Sequence, residues 1–236
     1  MRVVLVHGSV GNGPATWAAV EPLRNRFELI VPNRGGYPPN DPLPRIDFEE
    51  QAEELAPLLQ DGAHLVGHSY GGVISLLIAA RHPDVVRSLT VNEPPAFGLA
   101  RDNPQVERVV TELAAFFAAG PHEPADYLRG FLGVVGSDVQ LPDPLPPELQ
   151  QGAQAAMVER PPWEAEIPLD ELAAAPFPKL VVSGAHNAAF DAVCDVLEER
   201  LGADRAVLPG AGHSLPRAPG YAARLEAFLT GAEDST

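Results

Sequence analysis

Short runs of valine, leucine and isoleucine recur along this chain, each closed by glycine, asparagine or proline. They constrain the fold more than any other feature. The runs are RVVLVHG (2–8), FELIVPN (27–33), AHLVGHS (63–69), VRSLTVNEP (86–94), KLVVSGAH (179–186) and DRAVLPGAG (204–212). Unbroken apolar runs of this length suit strands covered on both faces, as in a parallel sheet. Most are followed by helical patterns: ATWAAVEPLRN, DFEEQAEELAPLL, GGVISLLIAARHP, FDAVCDVLEERLG and, at the end, APGYAARLEAFL. Asp47 and Glu50 stand in capping-box spacing before the second of these. Strand–helix alternation predicts an α/β fold with a mostly parallel central sheet of about six strands, flanked by helices and joined by right-handed crossovers.

The rhythm breaks between the fourth and fifth runs. Residues 95–178 hold no convincing strand, and 14 of the 26 prolines fall in 94–178, between stretches of helical pattern. An insertion of this kind at one end of a sheet reads as a helical lid. The predicted organisation is a core of residues 1–94 and 179–236 with a lid of residues 95–178. At 236 residues the chain is near the upper edge of one ordinary domain. The closing GAEDST is expected to fray.

Charge and cysteine content narrow the function classes. Sixteen basic residues against 32 acidic ones leave a formal net charge of −16, a balance that repels nucleic acid and anionic membranes. No apolar run reaches the roughly 18 residues of a membrane span. The single Cys194 excludes an internal disulfide and fits a reducing compartment. MRVVLVHG passes directly into a His-Gly turn and reads as a strand and not as a signal peptide. A cytoplasmic protein without a nucleic-acid or membrane partner is expected.

GHSYG, residues 67–71, matches G-x-S-x-G with a strand before it and a helix after it. The glycines allow a strained turn that exposes the Ser69 hydroxyl at the strand tip. They also leave the Tyr70 N–H directed at any oxygen bound there. Together with the His7-Gly8 turn after the first strand and Gly210-Ala211-Gly212-His213 after the last, this motif resembles the α/β-hydrolase fold family over nearly the whole chain. The family usually carries two further antiparallel strands at its start, so a shortened sheet is expected here. The resemblance implies a serine nucleophile at Ser69, a base at His213, and oxyanion donors at the N–H groups of Ser9 and Tyr70. A dinucleotide reading of GSVGNG is disfavoured. Gly8, Gly11 and Gly13 run G-x-x-G-x-G, and the second strand ends in Pro32-Asn33-Arg34 with no acid for a ribose. No cofactor is expected.

The family pattern fails at the acid. Its usual position, three residues after the glycine of KLVVSGAH, holds Asn187, which brings no charge to an imidazolium. Glu93, at the end of the fourth strand, is the preferred substitute, with Asp191 as second choice. No metal set is apparent, because the histidines lack helical spacing with carboxylates and one cysteine cannot build a zinc site. His7 is expected to brace the first loop, His68 to pack, and His64, His82 and His122 to be surface residues.

These features predict a cofactor-free serine hydrolase cleaving an ester, thioester or lactone through an acyl-enzyme on Ser69. The small-molecule substrate would carry an apolar acyl group. Trp17, Phe97, Phe116, Phe117, Tyr127, Phe131 and Trp163 are candidate pocket residues. A lyase or perhydrolase would use the same residues. The neutral Asn187 also admits a weakly active ligand-binding receptor on this fold.

Overall fold

The computed structural model describes residues 1–120, 123–136 and 140–234. Among them, six strands form one all-parallel sheet: β1 (Arg2–Val6), β2 (Glu28–Ile30), β3 (Ala63–His68), β4 (Val86–Asn92), β5 (Lys179–Ser183) and β6 (Asp204–Val207). Their order is β2-β1-β3-β4-β5-β6. The chain steps outward from β1 to β2, returns to the other side of β1, and continues in one direction to β6. That reversal opens a crevice at the carboxyl ends of β1 and β3, where open α/β sheets bind ligands.

The apolar runs of the inner strands are explained by cover on both faces; the edge strands β2 and β6 are partly exposed. Val4, Val6, Leu65, Val91 and Val181 point into one apolar cluster, while Val3, Leu5, Val66, Leu180 and Val182 point into the other. This is the two-residue alternation of a strand with both sides buried. Helices α2 (Phe48–Leu55), α3 (Tyr70–Arg81) and α8 (Ala188–Leu201) cover the first face. Helices α1 (Gly13–Trp17) and α9 (Tyr221–Asp234) cover the second. Helix α3 is buried from Tyr70 to Ala79, which accounts for a sequence that is apolar on all sides. At the start of α2 the Asp47 side chain accepts from the Glu49 N–H at 2.8 Å. The reciprocal half of the predicted capping box is not made, because Glu50 pairs with Arg45.

Between β4 and β5 lie α4 (Pro104–Ala119), α5 (Pro124–Val135), α6 (Pro147–Met157) and α7 (Leu169–Ala174). The prolines that interrupt this stretch in sequence begin three of these helices, where a missing N–H costs nothing. The inserted segment shares its core with the sheet. Val106, Val109, Val110, Leu113, Val135 and Leu172 belong to the same apolar cluster as Val4 and Leu65. It is also tied to the core by backbone bonds. Ile46 N–H donates to Val158 O at 2.9 Å, and Arg160 N–H donates to Ile46 O at 2.7 Å.

One expectation about the histidines is corrected. His64 is fully buried within β3, with Nδ1 2.8 Å from Ser88 Oγ on the neighbouring strand. Its strand is central and covered on both faces, so no surface position exists there. His82 is partly buried, and His122 lies outside the described residues.

Candidate active site

Ser69 stands where β3 passes into α3. Its φ of 53° and ψ of −125° are dihedrals that an L-residue resists. The flanking glycines permit the turn by close backbone approach. A Cβ at Gly67 would lie 2.4 Å from Gly71 O, and one at Gly71 would lie 2.4 Å from His7 O. The sheet then aligns the acid. His68 pairs with Asn92 in the β3–β4 register, and Ser69 N–H donates to Asn92 O at 2.9 Å. Glu93 therefore lies beside Ser69 on the adjacent strand, and its own N–H donates to Val182 O on β5 at 3.0 Å.

His213 joins the two. Its Nε2 lies 2.9 Å from Ser69 Oγ and its Nδ1 lies 2.7 Å from Glu93 Oε2. With Nδ1 carrying the proton donated to the carboxylate, Nε2 is left to accept from the serine hydroxyl. The loop bearing His213 reaches this place because Gly184 and Gly212 press together; a Cβ at Gly184 would lie 2.2 Å from Gly212 O.

Glu93 is fully buried, and its second oxygen accepts from the Gly184 N–H at 2.7 Å. His186 Nδ1 stands 3.2 Å from the same oxygen, while its Nε2 faces Val135 O at 3.3 Å. Burial alone would raise the Glu93 pKa. Contacts with His186, His213 and the Gly184 N–H outweigh it and hold the carboxyl at about 2. His186 is subject to burial, which lowers its pKa, but the Glu93 carboxylate and Val135 O shift it upward overall. Ligand-capable atoms of Glu93, His186 and His213 lie within 4.8 Å of one another.

Asp191 is not part of this arrangement. It lies in the first turn of α8 and faces Arg205 of β6 at 3.6 Å. Asn187 caps α8, accepting from the Ala189 N–H at 3.0 Å. His68 is buried beside His213, their ring centroids 5.0 Å apart, and burial pushes its pKa down to about 3. His7 bridges the first loop, with Nδ1 2.8 Å from Gly8 O and Nε2 accepting from the Arg34 N–H at 3.0 Å.

Ser69 and His213 border two spaces. One is a partly enclosed, mostly apolar cavity of about 30 Å³, walled by Phe97, Phe117, Tyr127, Phe131 and Trp163 and reached by Ser9 and Tyr70. The other is an open groove of about 210 Å³ lined by Thr16, His68, Leu132 and Arg217 among others. Two pocket expectations are corrected. Trp17 is buried on the opposite face of the sheet against Tyr221, because α1 packs there. Phe116 turns away from the cavity into the α4–α5 contact, where Gly130 leaves room for its ring. Successive helical residues point about 100° apart, so Phe117 faces the cavity and Phe116 does not.

Sequence reasoning passed over three residues here. Arg34 is fully buried, Glu159 lines the cavity, and His186 abuts the acid. Arg34 and Glu159 are partners from distant segments, and nothing in either local pattern marks them.

Comparison with known proteins gives the class. The alpha/beta hydrolase fold family matches residues 2–126, more than half of the chain. The chain belongs to this family. A 142-residue stretch is 32% identical to a pimeloyl-(acyl-carrier protein) methyl ester esterase of Aromatoleum aromaticum, covering 56% of this chain and 54% of that protein. The chain thus spans about half the length of that relative. Among solved structures, an alpha/beta hydrolase from Sphaerobacter thermophilus is 25% identical with a TM-score of 0.68, over 97% of this chain and 92% of the other. A thermophilic esterase from Thermogutta terrifontis, 22% identical with a TM-score of 0.64 over 98% and 90% of the two chains, has the same fold.

Proposed function

We propose that this protein is a cofactor-free serine hydrolase that cleaves a carboxylic ester with an apolar acyl group. The observation that carries the reading is the Ser69–His213–Glu93 chain, at 2.9 and 2.7 Å, opening on an apolar cavity. Ser69 Oγ attacks the ester carbonyl as His213 Nε2 takes its proton. Glu93 stabilises the imidazolium so formed. The N–H groups of Ser9 and Tyr70 receive the oxyanion. His213 then returns the proton to the departing alcohol, leaving an acyl group on Ser69. Water, deprotonated by His213, releases the acid and restores the serine. The apolar walls suit an acyl group without charge. The relatives named as methyl ester esterases favour an ester over a thioester or lactone. The inserted segment acts as a lid, since Phe117, Tyr127 and Trp163, which it carries, wall the cavity.

Incubation with a fluorophosphonate followed by intact-mass measurement tests this. One adduct, lost in Ser69→Ala, is expected. An unlabelled protein that binds acyl ligands tightly would instead support a receptor.

A further inference from the structure

Ser9 and Glu159 are 150 residues apart, yet Ser9 Oγ donates to Glu159 Oε2 at 2.5 Å. The other carboxylate oxygen accepts from Arg34 Nη2 at 2.5 Å and from the Tyr37 hydroxyl at 2.8 Å. The Arg34 side chain has no exposure and that of Glu159 only 7%. A buried charge of either sign is strongly unfavourable alone, so each depends on the other. Arg34 is further held between the rings of Tyr37 and Tyr70, at 4.5 and 4.8 Å from their centroids.

Arg34 and Tyr37 also grip the loop that follows β1. Arg34 Nη2 reaches Gly8 O at 3.2 Å, and the Tyr37 hydroxyl accepts from the Val10 N–H at 3.4 Å. From the other side α6 presses on the loop so tightly that a Cβ at Gly152 would lie 1.8 Å from Val10 O. Val10 has a φ of 70°, a conformation that a β-branched residue adopts only under constraint from its surroundings. Glu159 is itself anchored, because the Val158 and Arg160 backbones on either side of it bond to Ile46.

We propose that Glu159 is a positioning residue, through which the inserted segment sets the loop that presents the Ser9 N–H to the oxyanion. This rests on the reading of Ser9 and Tyr70 as the oxyanion donors. On this view the segment does more than roof the cavity: it completes the electrophilic half of the site. A donor displaced by a fraction of an ångström weakens the transition state and leaves ground-state binding largely intact, so the loss appears in kcat and not in KM.

The test uses p-nitrophenyl butyrate with the whole protein. Ser9→Ala removes the hydroxyl but keeps the backbone donor and the Arg34–Glu159 pair, so folding is retained; Ser9→Thr keeps the hydroxyl. Ser9→Ala is expected to lower kcat about 10- to 100-fold with KM within about twofold, and Ser9→Thr to recover most of the loss. Glu159→Gln should show the same kcat-against-KM split, and combining it with Ser9→Ala should cost little more than the stronger single change. If Glu159→Gln does not fold, the comparison of Ser9→Ala with Ser9→Thr decides. Unchanged kcat in Ser9→Ala, a rise in KM alone, or fully additive losses would overturn the proposal. Fluorophosphonate labelling of the wild type in the same preparation separates the two levels. Labelled Ser69 with an indifferent Ser9→Ala defeats only the positioning role; unlabelled Ser69 defeats that role and the hydrolase reading together.

Discussion

Glu93 Oε2 meets His213 Nδ1 at 2.7 Å across 120 residues of sequence. The carboxylate is buried at the tip of β4, while Asp191 is turned toward Arg205. Glu93→Gln is therefore expected to lower turnover of an activated ester by about 10²- to 10⁴-fold, the loss seen when such a relay loses its acid. Asp191→Asn should cost less than about tenfold. Turnover of both variants, with unfolding midpoints measured alongside, checks the assignment; the reverse ranking would refute it.

Acid should weaken the fold in two stages. His68 titrates near its ordinary 6.5 when unfolded and at about 3 when folded. Below pH 6.5 the unfolded chain therefore binds the extra proton, and stability falls by up to about 1.4 kcal/mol per pH unit. Glu93, with a folded value of about 2 against an ordinary 4.5, contributes stability above pH 4.5 that is lost between there and about 2. His186 runs the other way. Its raised value adds stability below its ordinary pKa, which is lost as pH rises through the folded one. Urea unfolding from pH 7 to 3 should show the two acid losses. The buried His7 and His64, also shifted downward by burial, add to the upper stage, so His68→Phe should reduce that stage without removing it, and Glu93→Gln should reduce the lower one.

The cavity wall should govern acyl length. Phe117 and Trp163 are in contact, with ring centroids 5.8 Å apart, and both face the cavity. Trp163→Ala should shift the preference toward longer acyl chains, by about tenfold or more in relative kcat/KM for each additional pair of methylenes accommodated. Trp17→Phe, on the far face of the sheet, should leave the preference unchanged. A series of p-nitrophenyl esters of graded chain length measures both.

Gly152 offers a test of the contact between helix α6 and the first loop. A Cβ there would overlap the Val10 carbonyl, a backbone group that cannot rotate aside. Gly152→Ala is expected to lower stability by about 1–3 kcal/mol and to reduce turnover as well. Full activity at a lowered midpoint would show that the loop tolerates the displacement.

The fold was largely legible in the sequence, because a parallel sheet imposes a local signature. The inner strands, buried on both faces, are rich in apolar residues, and each of the six runs carries one strand. Ser69 and His213 were legible because each sits in a glycine-bounded turn at a strand's carboxyl end. Glu93 could be argued from its place at the end of the strand beside that of Ser69, together with the resemblance to a family some of whose members hold their acid at that strand end. The Arg34–Glu159 pair was not legible. Its partners lie 125 residues apart, one after β2 and one after α6, and only tertiary packing makes either of them buried. Trp17 and Phe116 were misread for a related reason. Aromatic content marks a buried side chain but not which of several apolar clusters receives it.

Ser69 and Glu93 both hold positive φ, 53° and 44°, at the tips of adjacent strands. A glycine would adopt such dihedrals without protest. Strain of this kind is of order 1–3 kcal/mol per residue, more than the extra chain entropy that glycine brings to the unfolded state. Ser69→Gly should therefore melt at a higher temperature than the natural protein while being inert. At Glu93 the bonds to His213 and the Gly184 N–H offset the strain, but at Ser69 selection for thermal robustness alone would favour glycine, so the serine persists in a lineage only while the work done at this turn is still required.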